Sequence, residues 1–379
     1  MIHIHHVNLQ PIVGGGEIYT RALTRAFADA GASVTLYAHP AVRFWDVLAG
    51  ERTALIHIEN EKELLERLPR ENSLILTQSP ISVQCVERMA ARHRVAGFAH
   101  MPMFQRSADG FRADHQVFTV SRYCIDLLRL AGLAQVYPEP VYGTADLARG
   151  SEPVLRRSPY VVDSRKFRDV LLGRLRALAG TRGANDAFSR QPGLTLGLVS
   201  LLSPIKQFPA LFGVLAPILA RHAEVNLEIF GDGGYAQLRD LRRALAPLGG
   251  RARFWGYQPN VGAIYPRLDY LMTGLPEKEA LGLNVLEAQA CGTPVLAPDA
   301  PPFTETIVEG ASGYRYRDPR EDGGRHFGEI LDAILAGRPR PDPRIAAKEH
   351  LARFTHAALV ERARGVIAAL EQLRDSPLA

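Results

Sequence analysis

Leu268-Asp269-Tyr270-Leu271-Met272 leads through a short loop into Glu279-Ala280-Leu281-Gly282-Leu283-Asn284-Val285-Leu286-Glu287, and that into Ala288-Gln289-Ala290-Cys291-Gly292-Thr293-Pro294-Val295-Leu296-Ala297. The first run is short and apolar and predicts a strand over 268–272. Residues 283–291 have helical spacing, and 294–297 is strand-like again. Strand, helix and strand in that order are the repeating unit of a parallel sheet covered by helices.

The alternation extends in both directions. Upstream, 194–200, 225–230 and 252–255 read as strands, with helices over 207–221, 234–246 and near 260–266. The first third repeats the architecture, with strands over 2–7, 33–38, 54–58, 73–77, 94–99 and 116–120 and helical spacing over 16–30, 61–68, 80–92 and 121–131. Gly31 stands where a C-cap ends the first helix, and Ser121 where an N-cap opens the last of these. From Val136 to about Pro192 the rhythm breaks, with Pro138, Pro140, Gly143, Pro153 and Pro159 ahead of a basic, Leu-rich helical segment around 164–179. The tail, from about 343 to 372, is helical. A chain of 379 residues is long enough for two domains. The expected class is α/β, with a Rossmann-like domain over 1–137 joined by a C-terminal helix of about 350–379, a linker or insertion over 138–192, and a second Rossmann-like domain over 193–345.

Composition narrows the function classes. The chain is 46% hydrophobic and 22% charged, as an ordinary globular protein is. No apolar stretch approaches membrane-spanning length, and the N-terminus opens directly into a strand-like run, so the expected location is cytoplasmic. The three cysteines, Cys85, Cys124 and Cys291, show no pairing or zinc-type spacing and read as buried small residues. The net charge of +5 and the pI near 9.2 permit phosphate, anionic lipid or nucleic acid without choosing among them. Nucleic acid is excluded because no recognition module accompanies the charge. The charge concentrates in Arg156 to Arg182 and Arg239 to Arg253. Solvated helix faces are the simpler reading of both stretches, and a peripheral contact at a membrane surface is the alternative.

Chemistry is concentrated around 279–287. Glu279 falls in the loop at the carboxyl edge of the strand 268–272, where ligands of open parallel sheets gather, and Glu287 falls on the following helix. Both could hydrogen-bond sugar hydroxyls. The amides of Leu281, Gly282, Leu283 and Asn284 open that helix and are donors suited to an anion such as a diphosphate, with Gly282 permitting close approach. A capped surface helix with two incidental glutamates is the competing reading. Gly14-Gly15-Gly16, after the first strand, is either a donor loop for phosphate or acceptor, or a tight turn. His3 and His5 share a strand face but have no carboxylate nearby in sequence, so no metal site is expected.

The segment 279–297 closely resembles the E-x7-E signature of retaining glycosyltransferases of the GT-B fold, glycosyltransferase family 4 in particular. Further matches follow in the family's order: Gly14–Gly16, His100 after the strand Val95–Ala99, Lys206 in Val199–Lys206, Gly231-Asp232-Gly233, Phe254–Tyr257, Glu305–Val308 and Gly313-Tyr314. The resemblance is continuous over about 194–318, fainter over 1–137 and absent over 138–192. It implies two Rossmann-like domains facing a central cleft, and retaining transfer of a sugar from a nucleotide-diphosphate donor to a glycan or lipid-linked acceptor. No metal or other cofactor is implied. Glu279 would hold the donor sugar's hydroxyls and Glu287 the ribose. Lys206 and the amides at 281–284 would take the diphosphate, with Gly231 in the donor site, and His100 and Gly14–Gly16 would contribute from the first domain. Trp255 and Tyr257 would lie near the base, or are ordinary core residues. One departure stands out, because Leu201 occupies the place of the family's arginine. A non-catalytic binding protein and a GT-B-fold sugar-nucleotide epimerase are the alternatives.

Overall fold

In the computed structural model, which describes residues 2–70, 72–78, 81–162, 167–178 and 187–375, the chain forms two α/β units, Met1–Ala145 with Ala352–Ala379, and Asp146–Leu351. The first contains β1 (His3–Asn8), β2 (Ser33–Ala38), β3 (Thr53–His57), β4 (Leu74–Thr77), β5 (Arg94–Ala99) and β6 (Gln116–Thr119). The second contains β7 (Leu194–Val199), β8 (Val225–Phe230), β9 (Ala252–Gly256), β10 (Tyr270–Met272), β11 (Val295–Pro298) and β12 (Gly313–Tyr316). The sheet orders are β3-β2-β1-β4-β5-β6 and β12-β11-β10-β7-β8-β9, with every pairing parallel. Read from either end, these are the same doubly wound order. Its direction reverses between β1 and β4 in one unit and between β7 and β10 in the other, and such switch points open crevices at the carboxyl ends of strands.

The central strands are buried along almost their whole length, as a sheet covered on both faces requires. In the second unit Leu196, Leu198, Leu227 and Ile229 pack with Leu211, Phe212 and Leu215 of the helix Phe208–Ala220 on one side. Val199, Phe230, Leu271 and Val295 pack with Val285 and Ala288 on the other. Cys85, Cys124 and Cys291 are buried.

Eleven strands match the sequence expectation within a residue or two. The twelfth, β12, is four residues long with Arg315 in the middle, which leaves no apolar run to read. The helix expected near 260–266 is instead two short 3-10 turns, Val261–Ala263 and Tyr265–Arg267. Pro266 has no amide to continue an α-helical ladder between them. The helix expected around 164–179 is present as Phe167–Leu178, with 164–166 and 179 outside the described residues, as are Pro80 of the expected helix 80–92 and the last four residues of 350–379. The stretch 138–192 contributes to both units. Val141 donates its amide to Thr119 of β6, whereas Arg157 donates to Trp255 and Val161 to Gly233. The tail divides too, and its last helix, His356–Asp375, packs on Gly15–Asp29, with His356 Nε2 2.7 Å from Asp29 Oδ2.

Candidate functional site

The loops after β7 and β10 leave the switch point of the second sheet side by side, and two glycines hold them there. Gly231 has φ +141, and a Cβ on it would stand 1.9 Å from the carbonyl oxygen of Ser200, so the turn after β8 can press on the loop after β7. A Cβ on Gly274 would stand 2.1 Å from the carbonyl oxygen of Lys206, which accepts the amide of Leu275 at 3.2 Å. Only the absence of a side chain permits either approach. The reason for a glycine at 231 is therefore close packing, and its amide is already donated to Gly256 at 2.9 Å.

This packing brings Lys206 and Glu279 together from positions 73 residues apart, with Lys206 Nζ donating to Glu279 Oε2. Their side chains are 22% and 15% exposed, so the pair is shielded but open to a ligand. Glu279 Oε1 accepts the amides of Ala280 and Gly282, each at 3.2 Å. Gly282, with φ +78, turns the chain into the helix Leu283–Ala290. Asn284 Nδ2 donates to the carbonyl of Val199 at 3.0 Å and fixes the start of that helix to the end of β7. Leu281 is buried and Leu283 half-buried. The first-turn amides of Leu283 and Asn284 precede any intrahelical acceptor and aim their partial positive charge outward.

One turn further on, Glu287 is half-buried and accepts a hydrogen bond from Tyr265 Oη at 2.9 Å. Loss of hydration pushes its carboxyl up to about 7, against the opposing pull of the tyrosine hydroxyl. Tyr265 is fully buried, and burial and the neighbouring Glu287 raise its phenol well above the ordinary value. Residues 277–279 are braced from below: Glu277 takes Arg320 Nη1 at 2.5 Å and Gln207 Nε2 at 3.2 Å. Tyr265, Glu277, Gln207 and Arg320 were not legible as site residues. Only the acidic pair Glu277 and Glu279 within one loop hinted at them. Leu201, at the arginine position, is 55% exposed. Arg320 is the arginine this loop does receive, and Asp318 and Glu277 already neutralise it.

The switch point of the first sheet gathers the residues read there. Gly14–Gly16 follow β1, Gln78 follows β4 and His100 follows β5. None of the three glycines has positive φ. Gly14 donates its amide to Glu17 Oε2 at 2.8 Å, and the space around Gly15 is open. A Cβ on Gly16 would stand 3.8 Å from the His100 ring, and His100 Nε2 bonds the side-chain oxygen of Gln78. Burial lowers His100 to about 4, so the ring is neutral, with Nε2 carrying the hydrogen and Nδ1 left as an acceptor. The carboxamide nitrogen of the buried Gln78 has no hydrogen-bond partner among the described residues.

Other sequence candidates have structural employment. His3 and His5 stack at 4.6 Å between ring centres and bond Thr35 and Tyr37. Trp255 is buried against Phe188 and Phe230 and donates its indole N–H to Glu228 at 2.7 Å, while Tyr257 is 55% exposed. The basic run 239–253 is only partly a solvated face. Arg251 turns inward to the carbonyls of His222 and Val225, and Arg253 binds the fully buried Glu228.

The two sheets have the architecture of the GT-B fold. The Anabaena protein HepE, solved in complex with UDP and glucose, aligns over 97% of this chain and 100% of its own, with TM-score 0.68 and 16% identity. Sucrose-phosphate synthase from Thermosynechococcus elongatus aligns over 98% and 100%, with TM-score 0.72 and 16% identity. Residues 190–331, within the second unit, match the family described as Glycosyl transferases group 1, and Lys206, Glu279 and Glu287 all lie in the matched stretch. A D-inositol 3-phosphate glycosyltransferase from Stackebrandtia nassauensis is 31% identical over 176 residues, 43% of this chain and 38% of the relative. An alpha-1,3/1,6-mannosyltransferase alg-2 from Neurospora crassa is 32% identical over 101 residues, 26% and 21% of the two chains. The chain thus spans about two-fifths or less of the length of these curated relatives.

Proposed function

We propose that this protein transfers a sugar from a nucleotide-diphosphate sugar to an acceptor hydroxyl, with retention at the anomeric carbon and without a metal, in the synthesis of a glycan, polysaccharide or glycolipid. The observation that carries this reading is the cluster at the β7/β10 switch point, where Lys206, Glu279, the opening amides of Leu283–Ala290 and Glu287 share one edge of one sheet. A diphosphate needs a cation and amide donors, and a sugar and a ribose need carboxylate acceptors. The set matches that demand group for group. Lys206 would leave Glu279 for the departing phosphate, freeing a carboxylate oxygen for the sugar hydroxyls. Glu287, held by Tyr265, would take the ribose. The HepE complexes with UDP and with UDP-glucose support this class of donor.

In retaining transfer of this kind the departing phosphate accepts the acceptor's proton on the face where the new bond forms, so the chain supplies charge and position rather than a nucleophile. The neutral His100 and the open Gly15 in the first unit would serve the sugar and the acceptor. The test is incubation with uridine- and guanosine-diphosphate sugars and simple glycoside acceptors, with the product's anomeric configuration read by NMR. Retention supports the reading, and inversion or a donor epimerised without acceptor overturns it.

Leu201 favours a second reading, a protein that binds the donor without turning it over. Because that side chain is exposed, Leu201→Arg is compatible with the fold. It should raise turnover at least tenfold if charge on the leaving group is what limits it. Donor binding with no turnover in either form would select the second reading.

A further inference from the structure

Residues 156–182 hold eight basic and two acidic side chains, a surplus of six, against +5 for the whole chain. The second basic stretch, 239–253, has a surplus of four, but Arg251 and Arg253 there turn inward, so 156–182 is the larger concentration. Within that stretch the helix Phe167–Leu178 presents Phe167 (81% exposed), Leu171 (48%) and Leu175 (53%) to solvent. Their spacing of four places them on one face. Arg174 is exposed at the flank of that stripe, while Asp169, on the opposite side, is buried, and its carbonyl accepts the hydroxyl of Tyr160 at 3.0 Å. Val161 and Val162, just ahead, are 42% and 45% exposed. A helix of 12 residues is about 18 Å long, and among the described residues no helix is long and apolar enough to cross a membrane.

We propose that the helix Phe167–Leu178 docks on an anionic membrane surface, lying in the plane of the headgroups with Phe167, Leu171 and Leu175 among the upper acyl carbons and Arg174 on lipid phosphates. An apolar stripe in a basic setting is the pattern of an interfacial helix. The same charge tells against the other occupants. A second copy would bring six further positive charges onto the first, and a nucleic acid would use the arginines but leave three exposed apolar side chains unexplained.

Co-sedimentation with vesicles of phosphatidylcholine alone, and of phosphatidylcholine with one third phosphatidylglycerol, tests this independently of activity. The protein should bind the anionic vesicles selectively and lose them in high salt. Arg174→Gln should weaken binding about fivefold, the contribution of one basic residue near such a surface. The triple variant Phe167→Ser, Leu171→Ser, Leu175→Ser should abolish binding while its melting temperature stays unchanged. Phe167→Trp should shift its fluorescence to the blue on anionic vesicles only. Equal recovery with both vesicle types, recovery with neither, or full binding by the triple variant overturns the proposal. So does a triple variant that changes the oligomeric state, or a protein that binds oligonucleotides and retains that binding in the triple variant.

Discussion

At the residue scale the site turns on Glu287, a carboxyl held near neutrality by loss of hydration rather than by a charged partner. Its acceptor strength should therefore depend on pH in the range where the protein works. If it receives ribose hydroxyls as a carboxylate, nucleotide-diphosphate affinity rises as pH passes upward through about 7, by several-fold between one unit below and one unit above. Glu287→Gln should flatten that part of the profile, and calorimetric titration of both forms across this range measures it. A rise that persists in the variant would belong to the nucleotide's own phosphate. Sequence reading singled out Glu279 and Glu287 through one local motif and Lys206 through a separate match 73 residues away, which the structure pairs with Glu279. It missed Tyr265, Gln78 and Arg320 because each acts through a contact tens of residues away that no spacing encodes.

At the scale of elements, two glycines that look alike in sequence do opposite work. Gly231→Ala would drive a Cβ into the carbonyl of Ser200 at an unfavourable φ, so it should destabilise the second unit by roughly 1–3 kcal/mol and disturb Lys206. Gly15→Ala meets nothing within 4 Å and should leave the melting temperature unchanged or slightly raised. Any loss of turnover in that variant would then mark space that a substrate uses. Thermal melts and donor turnover of the two variants, side by side, separate packing from function. Strands and long helices were legible because each buries a periodic apolar face. The short edge strand β12 and the turns at Val261–Ala263 and Tyr265–Arg267 were not, since pairing and one proline decide them rather than periodicity.

At the scale of the molecule, the first unit carries buried groups that pull its stability in two directions with pH. His5, His6 and His100 are lowered to about 4, 3 and 4 by burial, so below about 6.5 the unfolded chain takes up protons that the folded unit refuses. Stability then falls as pH falls. Asp114 is raised to about 8 by burial, so above about 4 the unfolded chain gives up a proton that the folded unit keeps, and stability falls as pH rises toward 8. Between about 6.5 and 4 these three histidines outweigh one carboxyl, giving a net loss of roughly 3 kcal/mol per pH unit to which His93 and His115, also lowered by burial, add in the same direction, while from 6.5 to 8 Asp114 costs roughly 1.4 per unit. Hydrogen exchange read on peptides of Met1–Ala145 should show maximal protection near pH 6.5. Asp114→Asn should remove the alkaline decline and steepen the acid one. Both doubly wound sheets, apart from the edge strand β12, were legible from alternation. The division of 138–192 between the two units was not, because its prolines signal a break without saying which sheet each side joins.

The central claim, that the edge of the second sheet at β7 and β10 binds a nucleotide-diphosphate sugar, is tested most directly by thermal denaturation with uridine and guanosine diphosphates and their sugars, comparing the native protein with Glu287→Ala. Saturation at a hundred times the dissociation constant should add about 2.7 kcal/mol of apparent stability with one base only, and the variant should lose that gain. Equal stabilisation of native and variant protein, or none with any nucleotide, would contradict the account.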